Sequence, residues 1–173
     1  MVADMNQQNV RVPERYSRVD PWVISHDTDA EIVFLTQVFG ATETPGSRML
    51  DDAGRIGHVE VEIGGAVIML FDLHAGWPAL PAHLRIYVDD VRRVFDEALR
   101  AGARTVTEPT EMPFGERVAR VRDPQGHLWW IHEHVEDVDP AQLGARFATP
   151  AALETMTYVR QSLAAELSGS GTE

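Results

Sequence analysis

Arg122-Asp123-Pro124-Gln125-Gly126-His127-Leu128-Trp129-Trp130-Ile131-His132 is the stretch whose reading decides the fold. The apolar alternation on either side reads as two strands, and the proline and glycine between them set the bend of a tight turn. Working outward, the same order of elements stands twice in the chain. In the second copy His83 to Val88 reads as a strand and Val91 to Ala101 as a helix closing at Gly102-Ala103. Strands near Arg104 to Glu108, Glu116 to Arg122 and Leu128 to His134 follow. In the first copy Pro21 to Ser25 is a strand leading into a helix that ends Val38-Phe39-Gly40-Ala41, with strands near Gly57 to Ile63 and Ala66 to Asp72 after it. Each copy is a βαβββ unit too small to bury its own apolar face, so two must pack on each other or on a second chain.

The helices carry their own signals. Thr28-Asp29-Ala30-Glu31 fits a capping box, with Ile32, Leu35 and Phe39 as the buried stripe behind it. The second helix follows Asp89-Asp90 and sets Val91, Val94, Phe95, Ala98 and Leu99 on one face. Gly40 and Gly102 end the two helices, as left-handed caps require. From His58 to Ile63 the chain alternates, with Val59, Val61 and Ile63 toward the helices and His58, Glu60 and Glu62 away from them. Gly64-Gly65 reads as the hairpin turn. Leu73 to Ala82 links the copies, and its Trp77 is expected to cover a core edge. His127, in a turn, is expected to be exposed. Val135 to Arg146 reads as polar and irregular. Thr149-Pro150 starts a last helix whose apolar face is Leu153, Met156, Val159, Leu163 and Leu167.

These readings divide the chain into a flexible tail over 1–15, the paired modules over 16–135 (about 18–73 and 83–135), and a C-terminal extension over 136–173. The extension carries a helix at about 150–167 and a disordered end after Ser168. The fold class is α+β.

The chain has 173 residues, with 27 Asp and Glu against 15 Lys and Arg and a formal net charge of -12. That balance argues against nucleic acid, whose phosphates require clustered cations, and favours a neutral or cationic small molecule. With no cysteine, disulfides, thiolate metal sites and a cysteine nucleophile are excluded. No apolar run has the length of a membrane span, and Met1 to Arg15 lack the apolar core of a signal peptide, so a soluble cytoplasmic protein is expected. No nucleophile elbow, phosphate-cradling glycine loop or dinucleotide fingerprint occurs.

The paired units, together with Phe34-Leu35-Thr36-Gln37-Val38-Phe39-Gly40-Ala41, Tyr87-Val88-Asp89-Asp90-Val91, Ala98-Leu99-Arg100-Ala101-Gly102-Ala103 and Val121-Arg122-Asp123-Pro124-Gln125-Gly126-His127, resemble the vicinal oxygen chelate superfamily. That superfamily includes glyoxalase I, extradiol dioxygenases and bleomycin-resistance proteins. The resemblance covers about Val19 to His134. It implies two modules curled into a cupped mixed sheet, often stabilised as a homodimer, with the ligand in the cup. Enzymes of the superfamily hold a divalent metal there through four ligands. Laid on this sequence, those positions fall near Asp20, Met69, His83 and Trp130. A thioether is a poor partner for hard cations and an indole has no free lone pair, so no metal and no cofactor are expected. A register shift of two residues brings His132 to the same face, which leaves a site of His83, His132 and a carboxylate open.

Strand parity gathers Trp22, His58, Glu60, Met69, Phe71, His83, Arg85, Tyr87, Trp130 and His132 as the ligand-binding set. Rings and a few fixed polar groups are what a small-molecule cleft needs, although the same rings also serve as core. The reading that follows is a protein binding a small aromatic or cationic molecule in a metal-free cup, for sequestration or resistance. The competing reading is a divalent-metal-dependent lyase, isomerase or dioxygenase of the same superfamily. A third, metal-free acid and base catalysis by His83, His132 and Glu60, stays open.

Overall fold

The computed structural model describes residues 11–169, so most of the expected flexible tail and residues 170–173 of the expected disordered end lie outside the described residues. The first module places β1 (Trp22–Ser25), β5 (Ala66–Asp72), β4 (Ile56–Ile63) and β2 (Thr42–Glu43) side by side in that order, with β3 (Met49–Leu50) also on β4. The second gives β6 (His83–Tyr87), β9 (Leu128–His134), β8 (Glu116–Arg122) and β7 (Arg104–Glu111). In both, the first strand pairs parallel to the last and the hairpin strands run antiparallel. The modules differ where Thr44-Pro45-Gly46 interrupts the first one. Proline cannot donate to a ladder, and Gly46 takes a φ of 77°, so one strand becomes the two short pieces β2 and β3.

Helices α1 (Thr28–Phe39) and α2 (Val91–Arg100) pack against each other and against the inner faces of both sheets. One core therefore serves both modules: Val23, Val59, Val61 and Leu70 come from the first sheet, and Ala119, Val121, Trp129 and Ile131 from the second. The α2 stripe holds except at its end, where Leu99 reaches the surface. The capping box does not form. Asp27 is the cap, accepting the Ala30 N–H at 2.9 Å. Thr28 and Glu31 are both buried, because the helix enters the core one residue earlier than an exposed capping box allows.

The deciding turn is the knot between the modules. One Asp123 oxygen accepts the Gln125 and His127 amides at 2.9 and 2.8 Å, and the other accepts the Trp129 indole N–H at 2.8 Å. His127 is buried rather than exposed. Its Nδ1 accepts the Ala82 amide at 3.1 Å, so the ring proton sits on Nε2, 3.1 Å from Ser25 Oγ in the first module.

The extension departs from expectation as well. Pro140–Phe147 is a helix, α3, with Asp139 as its cap and proline in its first turn, so the stretch ending at Arg146 is not irregular. Chain direction into it is set by Gly115, whose carbonyl accepts the Val135 and Glu136 amides. A Cβ on Gly115 would lie 2.2 Å from the Glu136 carbonyl oxygen, so only glycine fits this close approach. The last helix, α4 (Pro150–Gly169), lies along β7 on the face of the second sheet opposite the core. Val159 and Met156 pack with Met112, Val118 and Phe114. Glu166 is gripped by Arg104, at 2.6 and 2.7 Å, and by Arg122. Leu153 and Leu167 of the expected apolar face are exposed.

Candidate functional site

Because the inner faces of both sheets share one core, their outer faces point away from it, and the ten candidate residues divide between them. Trp22, Met69 and Glu60 stand in one cross-strand row of the first sheet, with Phe71 and His58 beside them on the same face. Arg85 and Trp130 form one row of the second sheet, Tyr87 and His132 the next, and His83 precedes them at the start of β6. No strand of one sheet pairs with a strand of the other, so within one chain the structure brings together five and five rather than ten.

On the first face the rings meet in edge-to-face and tilted contacts. Trp22 meets Phe71 at 5.4 Å and His58 at 5.6 Å, and Phe71 meets Trp77 of the linker at 6.3 Å. Trp22 and Trp77 are each 52% exposed, so Trp77 does not cover a core edge: both rings rest on Phe71 at an open surface. Under them lies Glu60, buried, accepting from Tyr16 at 2.8 Å, 3.3 Å from His58 Nε2 and paired with Arg15 at 2.5 Å. Burial pushes the Glu60 carboxyl up, but the Tyr16 and His58 hydrogen bonds and the Arg15 charge outweigh it and hold it below the ordinary carboxylate range. Arg15 and Tyr16 precede the first strand, and no periodicity in the sequence marks them.

On the second face the Arg120 guanidinium lies 3.8 Å above the Trp130 ring. It also donates to Thr107 Oγ1 at 3.0 Å and to the Val159 carbonyl of α4 at 2.8 Å. His132 Nδ1 is 2.6 Å from Glu116, which also accepts the Tyr87 hydroxyl at 2.9 Å. Glu116 is a residue that sequence reasoning passed over. It shares β8's outer parity with Val118, the strand partner of His132, and that parity was the available signal.

The positions aligned with metal ligands do not converge on one point. Asp20 Oδ1 accepts the Ser17 amide and hydroxyl at 3.0 and 2.8 Å in a local turn ahead of β1. Met69 offers a thioether on the first sheet, while His83 and Trp130 stand on the second. Among the described residues, the group of acids and histidines with metal-like spacing is instead Glu31, Asp123 and His127, all buried. Both His127 nitrogens are already engaged.

Residues 18–131 match the Glyoxalase/Bleomycin resistance protein/Dioxygenase superfamily. The chain belongs to this superfamily. Its α3 and α4 lie beyond the matched residues. Among relatives, an uncharacterized protein of Mycobacterium tuberculosis, Rv0887c, is 27% identical over 142 residues, covering 76% of this chain and 82% of its own length. TioX from Micromonospora sp. ML1 is similar in structure, with a TM-score of 0.56 and 26% identity over 69% of this chain and 99% of that one. FosX, a fosfomycin resistance protein of Listeria monocytogenes crystallised with Mn(II) and dihydroxypropylphosphonic acid, shares the fold. Its TM-score is 0.52, with 18% identity over 65% of this chain and 88% of that one. Among the described residues no helix is long and apolar enough to cross a membrane.

Proposed function

We propose that this superfamily member binds a planar aromatic small molecule without a metal and sequesters it, in a cup closed between two copies. The first sheet of one chain faces the second sheet of its partner. The observation that carries the reading is the edge-linked row of Trp22, Phe71 and Trp77, half open to solvent while the core behind it is already filled by aliphatic side chains and Trp129. Indole rings half exposed on a surface offer apolar area on which a flat ligand stacks. The two outer faces point apart in one chain, and α4 covers the second along β7 and β8, so in this reading the rows on β6 and β9 meet the first sheet of another copy. An aromatic ligand is favoured over a cationic one because Arg15 already meets the Glu60 charge and Arg85 and Arg120 flank Trp130 across the second sheet. A cytoplasmic location belongs to the same proposal.

The donor set does not fit the divalent metal that some relatives hold. Asp20 is committed to its turn, a thioether is a poor ligand for hard cations, and the Trp130 indole has no lone pair to give. The lyase, isomerase or dioxygenase reading therefore lacks its aligned ligands, and His83 and His132 form no three-ligand group with a carboxylate among the described residues of one chain. Titrating tryptophan fluorescence with a panel of planar aromatic compounds tests the binding reading. Quenching by some members is expected, weakened roughly tenfold or more in Trp22→Ala through lost stacking, together with no heat on titration with Mn(II), Zn(II) or Ni(II). A flat response across the panel contradicts the proposal.

A further inference from the structure

Two buried imidazoles stand on the second module, and they differ in one respect. His127 has both nitrogens engaged, by the Ala82 amide and the Ser25 hydroxyl, which is what a structural histidine needs. His132 is 7% exposed and has only one engaged nitrogen. Its Nδ1 lies 2.6 Å from Glu116 Oε2, and its Nε2 is buried with no hydrogen-bond partner.

The state of Glu116 fixes what that free nitrogen carries. Burial pushes the Glu116 carboxyl up, but the hydrogen bonds from His132 and from the Tyr87 hydroxyl outweigh it and keep it below the ordinary range. An ionised carboxylate only accepts, so a neutral His132 holds its proton on Nδ1 and presents a lone pair at Nε2. A carboxylate behind one ring nitrogen also holds the tautomer and balances the imidazolium formed when a proton arrives. A buried acceptor without a donor is unfavourable in a folded protein. The natural donor is a ligand on the outer face.

We propose that Glu116 and His132 form a proton-accepting pair that takes the acidic hydroxyl of an aromatic ligand, a phenol or a ring-bound enol. This deepens the aromatic-binding reading and rests on it. The ligand O–H bond breaks and an Nε2–H bond forms. The proton's former electron pair stays on the ligand oxygen, and the resulting imidazolium is balanced by Glu116. No oxidant or further reactant takes part. Arg85, whose guanidinium lies 5.1 Å over the Tyr87 ring, supplies a cation on the same face for the oxyanion. Tyr87, half exposed, meets the imidazole ring at 5.6 Å, and in this proposal the ligand ring enters beside it.

The test uses 4-nitrophenol, whose anion absorbs visible light, and 4-nitroanisole, which has the same ring without the proton, at a pH where free nitrophenol is neutral. The intact protein is expected to quench with both and to develop the phenolate band with the first. His132→Gln is expected to lose the band while still binding nitroanisole. Glu116→Gln, which keeps the imidazole but frees its tautomer, is expected to reduce the band roughly tenfold. Nitrophenol bound in its neutral form, or a band that survives in His132→Gln, overturns the proposal. Nitrogen NMR of the unliganded protein at neutral pH reads the pair without any ligand. A proton on His132 Nδ1 is expected, and a proton on Nε2 overturns the proposal. If neither ring binds, the aromatic cup fails, and the tautomer alone then decides the pair.

Discussion

Trp129→Ala is expected to cost about 3–5 kcal/mol of folding stability, a large fraction of what a domain of this size has. Trp129 is the largest fully buried side chain. Its ring meets Phe39 of α1 at 4.6 Å, so the same side chain fills the space between the modules. Its indole N–H ends on Asp123 at 2.8 Å, and removing that donor leaves a buried carboxylate oxygen short of a partner in addition to the cavity. Trp129→Phe separates the two contributions, since it keeps most of the volume and loses only the donor, and about 1–2 kcal/mol is expected for it. Denaturant midpoints of the two variants measure both. An alanine variant as stable as the parent would mean that the modules do not share this core.

Glu31→Gln is expected to stabilise the protein in mildly alkaline solution and to change little near pH 5. Burial, followed by the charge of nearby Asp123, pushes the Glu31 carboxyl up to about 9 from an ordinary 4.5. Burial raises Asp123 in the same direction. A carboxyl raised by folding stays protonated in the native state while the unfolded chain has already lost its proton. Its contribution is therefore complete below pH 4.5 and declines as pH climbs toward 9, by at most about 1.4 kcal/mol per unit. Burial lowers His127, which acts in the opposite sense: its contribution is lost as pH falls below the ordinary histidine value. The two windows overlap below the ordinary histidine value and oppose each other there, so above it the Glu31 decline acts unopposed and stability should fall with rising pH. Glutamine cannot ionise, and its amide can donate to Asp123, so at pH 8 a gain of about 1–3 kcal/mol over the parent is expected. Thermal melts of both proteins between pH 5 and 9 check this, and parallel curves would contradict it.

Most of the architecture was legible because it rests on local repetition. The alternation in β4, the helical spacing of Val91, Val94, Phe95 and Ala98, and the Asp-Pro-Gln-Gly turn each state their structure within a few residues. The polar knot between modules was not legible. Ser25 and Glu31 lie far from Asp123 and His127 in the chain, and only the packing of β1 and α1 onto the second module brings the two pairs together. Helix α3 was legible and was passed over: Asp139-Pro140 is the same cap-and-proline signal that located α4 at Thr149-Pro150. At the site, parity sorted the ten residues into rows on their strands, and the pairing shows five on each sheet. Parity gave no information on which faces meet, since alternation fixes the side of a strand and leaves open where each sheet points.

The divergence of those faces is the claim on which the proposed cup depends, and subunit exchange tests it most directly. Trp22→Ala spoils the first sheet and Trp130→Ala the second, so either variant alone should bind the strongest quencher of the aromatic panel poorly. After the two are mixed and allowed to exchange, a mixed dimer carries one cup with both defects and one cup with none. Calorimetry should therefore recover about a quarter of the parent's binding capacity. A mixture that stays silent while each variant remains folded, or a chain that binds at full capacity as a monomer, would contradict the account.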